Sequence, residues 1–341
     1  MSESTLRFSV VTPSYNQGEF IRWTIDSVLR QNYSNIEYLV IDGASTDETV
    51  GILKSYSDPR LGWLSEPDAG QTDAINKGLR KASGDILAYL NSDDTYLPGT
   101  LAFVADFFVR NPDVDVLYGH CVSLDASNQQ IYPSMPASPF NLQDALKKRW
   151  HIWQPAVFWR RSVTETIGLF DDSLYFAMDT DYWMRMLAAG YIPQLVDREL
   201  AGFRFHDESK TLSQSEYLIK DLQRVFKKFY ATPGLPDVIR QMQPLTEAYL
   251  AYYNADVYWK LEKRAAARPY LRHILKHSAP LRLKVMATAR LLDAYVNTSL
   301  HRLLANVYHL AARKPRAEDV YMGPKHYISS MTDDGDEKQR S

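Results

Sequence analysis

The chain has 341 residues, 45% of them hydrophobic and 23% charged, with a formal net charge of −2. This composition supports a packed core, excludes wholesale disorder and argues against a general nucleic-acid binder. A single cysteine, Cys121, excludes an internal disulfide and a cysteine-built zinc site, and fits a reducing cytoplasm. No apolar run reaches the ~18–20 residues that cross a bilayer. The opening MSESTLRFSVV lacks the basic and apolar regions of a secretion signal.

Short apolar runs alternate with helical patterns over the first 120 residues. Strands are expected at Phe8–Thr12, Ile36–Ile41, Leu61–Ser65, Asp85–Leu90 and Val114–Tyr118. Helices are expected near Glu19–Arg30, Thr46–Ser57, Gln71–Ala82 and Gly99–Arg110. That alternation implies βαβ units and an α/β fold with a mainly parallel sheet. Further on, Gln154–Trp159 and Gly202–His206 read as strands, and Asp179–Ala189 and Leu212–Tyr230 as helices. Pro233, Gly234 and Pro236 mark a boundary near 232. Beyond it the chain reads as helical to about 312, with breaks near Pro269 and Pro280.

Ligands of such sheets bind beyond the carboxyl ends of the strands. The first four strands are followed by TPSYNQG, DGASTDE, EPDAGQTD and NSDD. Turn chemistry explains the Asn, Ser and Gly. It does not require Asp42, Asp47, Asp68, Asp73, Asp93 and Asp94 at one sheet edge, where like charges repel. In NSDD, adjacent carboxylates suit a divalent cation shared with substrate phosphates; the plain alternative is a solvated turn with Asp94 capping the next helix. Ser45-x-x-Glu48 reads as a capping box, which leaves Asp42 free to accept from a base or ribose hydroxyl. Thr12, Tyr15 and Asn16 offer either a stacking face for a base or an ordinary Pro-containing turn. Asp181 and Arg185, four apart, pair on one helix face, so Asp179 points elsewhere as a general base or as dipole compensation. In FRFH, strand alternation puts Arg204 and His206 together, for a phosphate and a metal or for structure. Trp153 and Gln154 shape a sugar pocket or a core.

Taken together, VTPSYNQGEFI, YLVIDGASTDET, SEPDAGQTDAINKGL, GDILAYLNSDDTYLPG, QPAVFWRR with IGLFDDSL, and DTDYWMRM resemble the family 2 glycosyltransferases with the GT-A fold. The resemblance spans about 6–210. It implies inverting, Mn²⁺- or Mg²⁺-dependent transfer of a sugar from a nucleotide-sugar donor to a carbohydrate or lipid-linked hydroxyl. It implies Thr12, Pro13, Tyr15, Asp42, Asp73 and Asp93 around the nucleotide, and Asp94 with His206 at the metal. Asp179 falls at the catalytic base, and Arg204, Trp153 and Gln154 on the phosphate or acceptor side. The family's usual Glu-Asp pair is Met178-Asp179 here.

The expected organisation is a catalytic domain over 1–232, with a nucleotide half at about 6–120 and an acceptor half at 121–232. A basic helical extension follows over 233–316, and then a tail over 317–341. Between 260 and 316 stand thirteen basic and two acidic side chains, which suits an anionic membrane surface, packing on the acidic domain or an oligomer interface. The expected location is cytoplasmic, at the inner face of a membrane. Two other readings are a sugar nucleotidyltransferase and a catalytically silent membrane-associated binding protein. The first wants a basic Gly-rich loop that TPSYNQGEF lacks; the second leaves Asp42, Asp93, Asp94 and Asp179 without a purpose.

Overall fold

The computed structural model describes residues 6–148, 150–206 and 215–296, which fall in two compact units, one reaching Thr246 and one beginning at Glu247. The start of the helix expected from Leu212, the basic residues Arg302, Arg313, Lys314 and Arg316, and the tail 317–341 lie outside the described residues.

The first unit is built on β1 (Phe8–Ser14), β2 (Ile36–Asp42), β3 (Leu61–Ser65), β4 (Ile86–Tyr89), β5 (Thr95–Tyr96), β6 (Val116–Leu124), β7 (Gln130–Met135), β8 (Val157–Arg160) and β9 (Gln194–Arg204). The sheet runs β3-β2-β1-β4-β8-β6-β9-β5, with β7 on β6. β3, β2, β1 and β4 are mutually parallel, β8 is antiparallel to both its neighbours, and β6 and β9 are parallel. Every residue of β1 and β4 is buried, as continuous apolar runs in a covered parallel sheet demand. Pro13 lies beyond the β1–β4 pairing, so its missing N–H removes no ladder bond there.

The helices of this unit are α1 (Ile21–Leu29), α2 (Thr49–Lys54), α3 (Gln71–Lys81), α4 (Thr100–Arg110), α5 (Leu142–Leu146), α6 (Arg161–Ile167), α7 (Met178–Ala188) and α8 (Ser215–Tyr230). α3 lies hard against β1 because Gly78 has no side chain: a Cβ there would stand 2.3 Å from Val11 Cγ1. This contact carries the N-terminus of α3 to the strand ends. Two expectations change. Gln154–Ala156 is a 3₁₀ turn rather than strand, with Pro155 inside it, and β8 starts only at Val157. The strand expected at Gly202–His206 is the end of the much longer β9.

The short α9 (Asp237–Arg240) still belongs to the first unit, while α10 (Gln243–Lys260) begins there and runs into the second, which continues with α11 (Arg264–Lys276) and α12 (Leu281–Val296). Its core is mostly small: Ala248, Ala251, Ala255, Ala267 and Ala287 with Leu271, Ile274 and Leu283. Small side chains let helices approach closely. Arg290 pairs with Asp256 at 2.7 Å. The helix break expected near Pro280 is present. That near Pro269 is not: Pro269 sits inside α11, and the break falls at 261–263 instead.

Candidate functional site

Parallel register aligns Ser14, Asp42 and Ser65 across the ends of β1, β2 and β3. Asp42 is buried and already well supplied. Its Oδ2 accepts from Ser65 Oγ at 2.6 Å and Ser45 N at 2.9 Å, and its Oδ1 accepts from Ser45 Oγ at 2.5 Å. Ser45 therefore serves Asp42 rather than a capping box. Its hydroxyl also accepts from Asn16 N at 2.7 Å, and Asp47 accepts from Thr49 N at the start of α2 and from Gly18 N. Asn16 is left-handed at φ 51°, and its Oδ1 accepts from Thr46 N, which holds the two loops together. Tyr15, next to it, is 59% exposed. Thr12 is buried against the Tyr38 hydroxyl at 3.1 Å.

Asp68 packs over Gly43, where a Cβ would stand 2.7 Å from Asp68 Oδ2. Burial pushes the Asp68 carboxyl up, and the charges of Asp73 and Asp42 push the same way. Asp73 accepts from Ala69 N and pairs with Lys77 at 3.3 Å.

The NSDD turn closes on Asp94 N donating to Asn91 O. Thr24 Oγ1 donates to Ser92 O and Asp94 O, pinning the turn to α1. Asp94 caps no helix: α4 begins at Thr100, with Gly99 before it. Its carboxylate is 1% exposed, with Oδ1 taking Arg204 N at 3.0 Å and Oδ2 taking Asn91 Nδ2 at 3.4 Å. Burial drives this carboxyl well above the usual range, and the adjacent Asp93 adds to it.

Arg204 is also 1% exposed. Its Nε donates to Asp93 O at 2.7 Å, and its two terminal nitrogens donate to Asp125 O and Asn128 Oδ1. Its guanidinium stands over the rings of Trp23 and Phe20. A group committed in this way braces the NSDD turn and turns no open edge to a phosphate. His206 Nε2 lies 3.0 Å from Asp93 Oδ2, its ring against Phe20. Among the described residues no three His, Cys, Asp or Glu side chains close on one point. Asp93 and Asp94, adjacent in the chain, and His206 beside Asp93 are the side chains here whose chemistry suits a divalent cation. The buried, like-charged Asp94 is the group a divalent cation would stabilise in its ionised form, so the residues fit such an ion with substrate phosphates completing its shell.

Gln154 Nε2 donates to Tyr89 O at 2.7 Å, and its Oε1 accepts from Asn91 Nδ2 at 3.3 Å. Gln71, at the N-terminus of α3, donates to Asn91 Oδ1 at 2.8 Å. Gln71 and Asn91 thus knit the site together; Asn91 belongs to the NSDD turn singled out in the sequence, whereas Gln71 did not stand out, because an amide carries no charge pattern. Trp153 stands 6.0 Å from Phe203, its buried Nε1 without a hydrogen-bond partner among the described residues.

Asp179 sits in the first turn of α7. Asn76 on α3 exchanges two hydrogen bonds with the Phe170 backbone, and Asp221 Oδ2 accepts from Tyr175 N and Phe176 N. These contacts fix the approach to α7. The buried Met178, which stands where the family usually has Glu, accepts from Thr72 Oγ1 of α3 on its sulfur at 2.7 Å. Asp181 pairs with Arg185 at 2.7 Å, and also with Lys228 at 2.9 Å. Asp179 has neither cation; its Oδ1 takes Thr180 N at 2.5 Å and Thr180 Oγ1 at 3.2 Å. The Thr180 hydroxyl in turn accepts from Lys148 Nζ at 3.2 Å. Lys148 is left-handed at φ 55°, uncommon for a side-chain-bearing residue. Burial pushes its ammonium pKa down, and the Asp179 charge opposes that.

Tyr89, at the end of β4, is buried, and its phenol pKa is driven well up, first by burial and then by the charges of Asp179 and Asp94. The stretches that carry these two carboxylates are joined through α3, where Gln71 donates to Asn91 and Thr72 donates to Met178.

A sequence model described as Glycosyl transferase family 2 matches residues 9–168. A Mycobacterium tuberculosis PGL/p-HBAD biosynthesis glycosyltransferase is 31% identical over 221 residues, covering 62% of this chain and 82% of that protein. An uncharacterized glycosyltransferase of Rickettsia typhi is 29% identical over 216 residues, covering 60% of this chain and 65% of that one. The chain thus spans just under two thirds of the Rickettsia protein. In solved structures, S. aureus TarS 1-349 in complex with UDP-GlcNAc aligns at TM-score 0.60 and 18% identity, over 89% of this chain and 92% of that one. The mannosyltransferase PcManGT from Pyrobaculum calidifontis, in complex with GDP-Man and Mn²⁺, aligns at TM-score 0.57 and 20% identity, over 92% and 89%. The fold is of the GT-A type.

Proposed function

The chain belongs to glycosyl transferase family 2, and from that premise we propose that it moves a sugar from a nucleotide-diphosphate-sugar to a hydroxyl acceptor, with inversion at the anomeric carbon. The observation that carries this reading is that the start of α3 ties the two acidic stretches together: Gln71 donates to Asn91 of the NSDD turn at 2.8 Å, and its neighbour Thr72 donates to Met178, next to Asp179. Inversion needs one displacement, hence one base facing the acceptor and no second nucleophile. Asp179 suits that base, because Asp181 beside it is consumed by Arg185 and Lys228.

In this reading the exposed Tyr15 offers its ring to the base, while Thr12, Pro13 and Asp42 form the wall behind it. Asp73 closes the sugar side, and Asp93 faces the ribose. Asp93, Asp94 and His206 would hold Mn²⁺ or Mg²⁺, which when bound supplies Lewis-acid neutralisation of the departing diphosphate. Asp179 accepts the acceptor's proton as its oxygen attacks, an effect typically of ~10²–10⁴-fold. Thr180, itself held by Lys148, donates to Asp179 Oδ1, leaving Oδ2 for that proton. Gln154 and Trp153 line the sugar pocket, and Arg204 works from behind by bracing Asp93.

The name of the mycobacterial relative supports an acceptor in glycolipid or polysaccharide assembly. The location is proposed as cytoplasmic, which suits the buried free thiol of Cys121. The test is a panel of UDP-, TDP- and GDP-sugars assayed for slow donor hydrolysis with Mn²⁺, Mg²⁺ or chelator. One donor class should be hydrolysed, and only with metal. No hydrolysis of any donor would contradict the reading.

A further inference from the structure

Helix α12 turns an apolar stripe to solvent. Leu281 is 78% exposed, Val285 46%, Leu292 46% and Tyr295 53%. With Thr288 between them they recur at steps of three and four, so they share one side of the helix. The helix buries other residues: Leu283, Ala287 and Ala294. The stripe is therefore additional to the core-facing side.

The stripe has a cationic rim. On α11, Arg272 and Lys276 are exposed. Arg272 donates to the Tyr295 hydroxyl, and the Arg268 guanidinium stands 4.1 Å from the centre of the Tyr295 ring. Arg282 is exposed and Lys284 half-buried on α12 itself. The only acid in α11 and α12 is Asp293, and it is buried.

We propose that this face docks on an anionic lipid bilayer, with α12 lying in the interfacial plane. Aliphatic side chains along one exposed helix face, a tyrosine with its polar tip at the edge and an arginine–lysine rim are what such a surface requires. No described helix is long and apolar enough to cross a membrane, so the contact is in-plane. A second copy of the chain fits poorly. A two-fold contact sets the patch against itself, confronting one basic rim with another.

The experiment is co-sedimentation of the full chain with phosphatidylcholine vesicles, with and without phosphatidylglycerol. Its readout is independent of sugar transfer, so it can fail while the proposed chemistry stands. Binding should require phosphatidylglycerol and weaken as salt rises. Arg272→Gln with Lys276→Gln should lower it roughly 5-fold for each charge removed. Val285→Glu with Leu292→Glu should abolish it. Leu281→Glu, at the most exposed position, should weaken it without touching the core. Absence of wild-type binding, or equal binding by all variants, would overturn the proposal. So would a wild-type dimer in sedimentation equilibrium, dissolved by Val285→Glu with Leu292→Glu, without vesicle binding.

Discussion

Lys148 Nζ donates at 3.2 Å to the Thr180 hydroxyl, which itself donates at 3.2 Å to Asp179 Oδ1. A loop cation thereby fixes one oxygen of the proposed base from outside its helix. Lys148→Met should lower kcat about 10-fold while leaving the donor Kd within about 2-fold, in line with the loss of a positioning contact rather than of the base. Burial pushes the Lys148 pKa below its usual 10.5. The ammonium is then lost earlier than an exposed lysine's as pH rises, so the wild-type rate should fall on the alkaline side before pH 10.5. Lys148→Arg should remove that alkaline limb, because arginine stays charged. Steady-state pH profiles of the three proteins check this.

Asp94→Asn keeps an oxygen for Arg204 N but removes the charge. Metal-dependent donor affinity should fall by at least about 100-fold, as for a lost metal ligand, while the melting temperature holds or rises because a costly buried carboxylate is gone. Calorimetric titration of nucleotide with and without Mn²⁺, beside a thermal melt, separates the two effects. Chelator should reduce wild-type affinity to that of the variant.

Arg204→Met should act through stability. It leaves Asp93 O and Asp125 O without their side-chain donor in a buried site and removes the stack on Trp23. Each orphaned buried acceptor costs about 1–3 kcal/mol. Urea unfolding should show a loss of roughly 2–4 kcal/mol. A stable variant with selectively weakened phosphate binding would return Arg204 to direct ligand contact.

Much of this was readable in the residues. The runs that become β1 to β4 are short, rich in apolar residues and separated by helical patterns, so the sheet's parallel half and its acidic edge followed directly. β9 was not, because its first half carries Asp197, Arg198 and Glu199 and is a strand only through pairing with β6. β5 is two residues long and has no period to detect. The Asp181–Arg185 pair followed from helical spacing, and alternation rightly sent Arg204 and His206 to one neighbourhood, since both reach Asp93. The use of each did not follow: full burial decides that Arg204 braces. Ser45-x-x-Glu48 matched a local pattern, yet its serine is claimed by Asp42 through tertiary contact. Lys148 left no trace in sequence, because its relation to Thr180 exists only once a loop folds back onto α7.

The most direct measurement is Asp179→Asn with the preferred donor and acceptor. Donor affinity should stay within about 2-fold of wild type, while single-turnover transfer falls by ~10²–10⁴-fold. Transfer at the wild-type rate would contradict the assignment of Asp179 as the base, and with it the proposed division of the chemistry between Asp94 and Asp179.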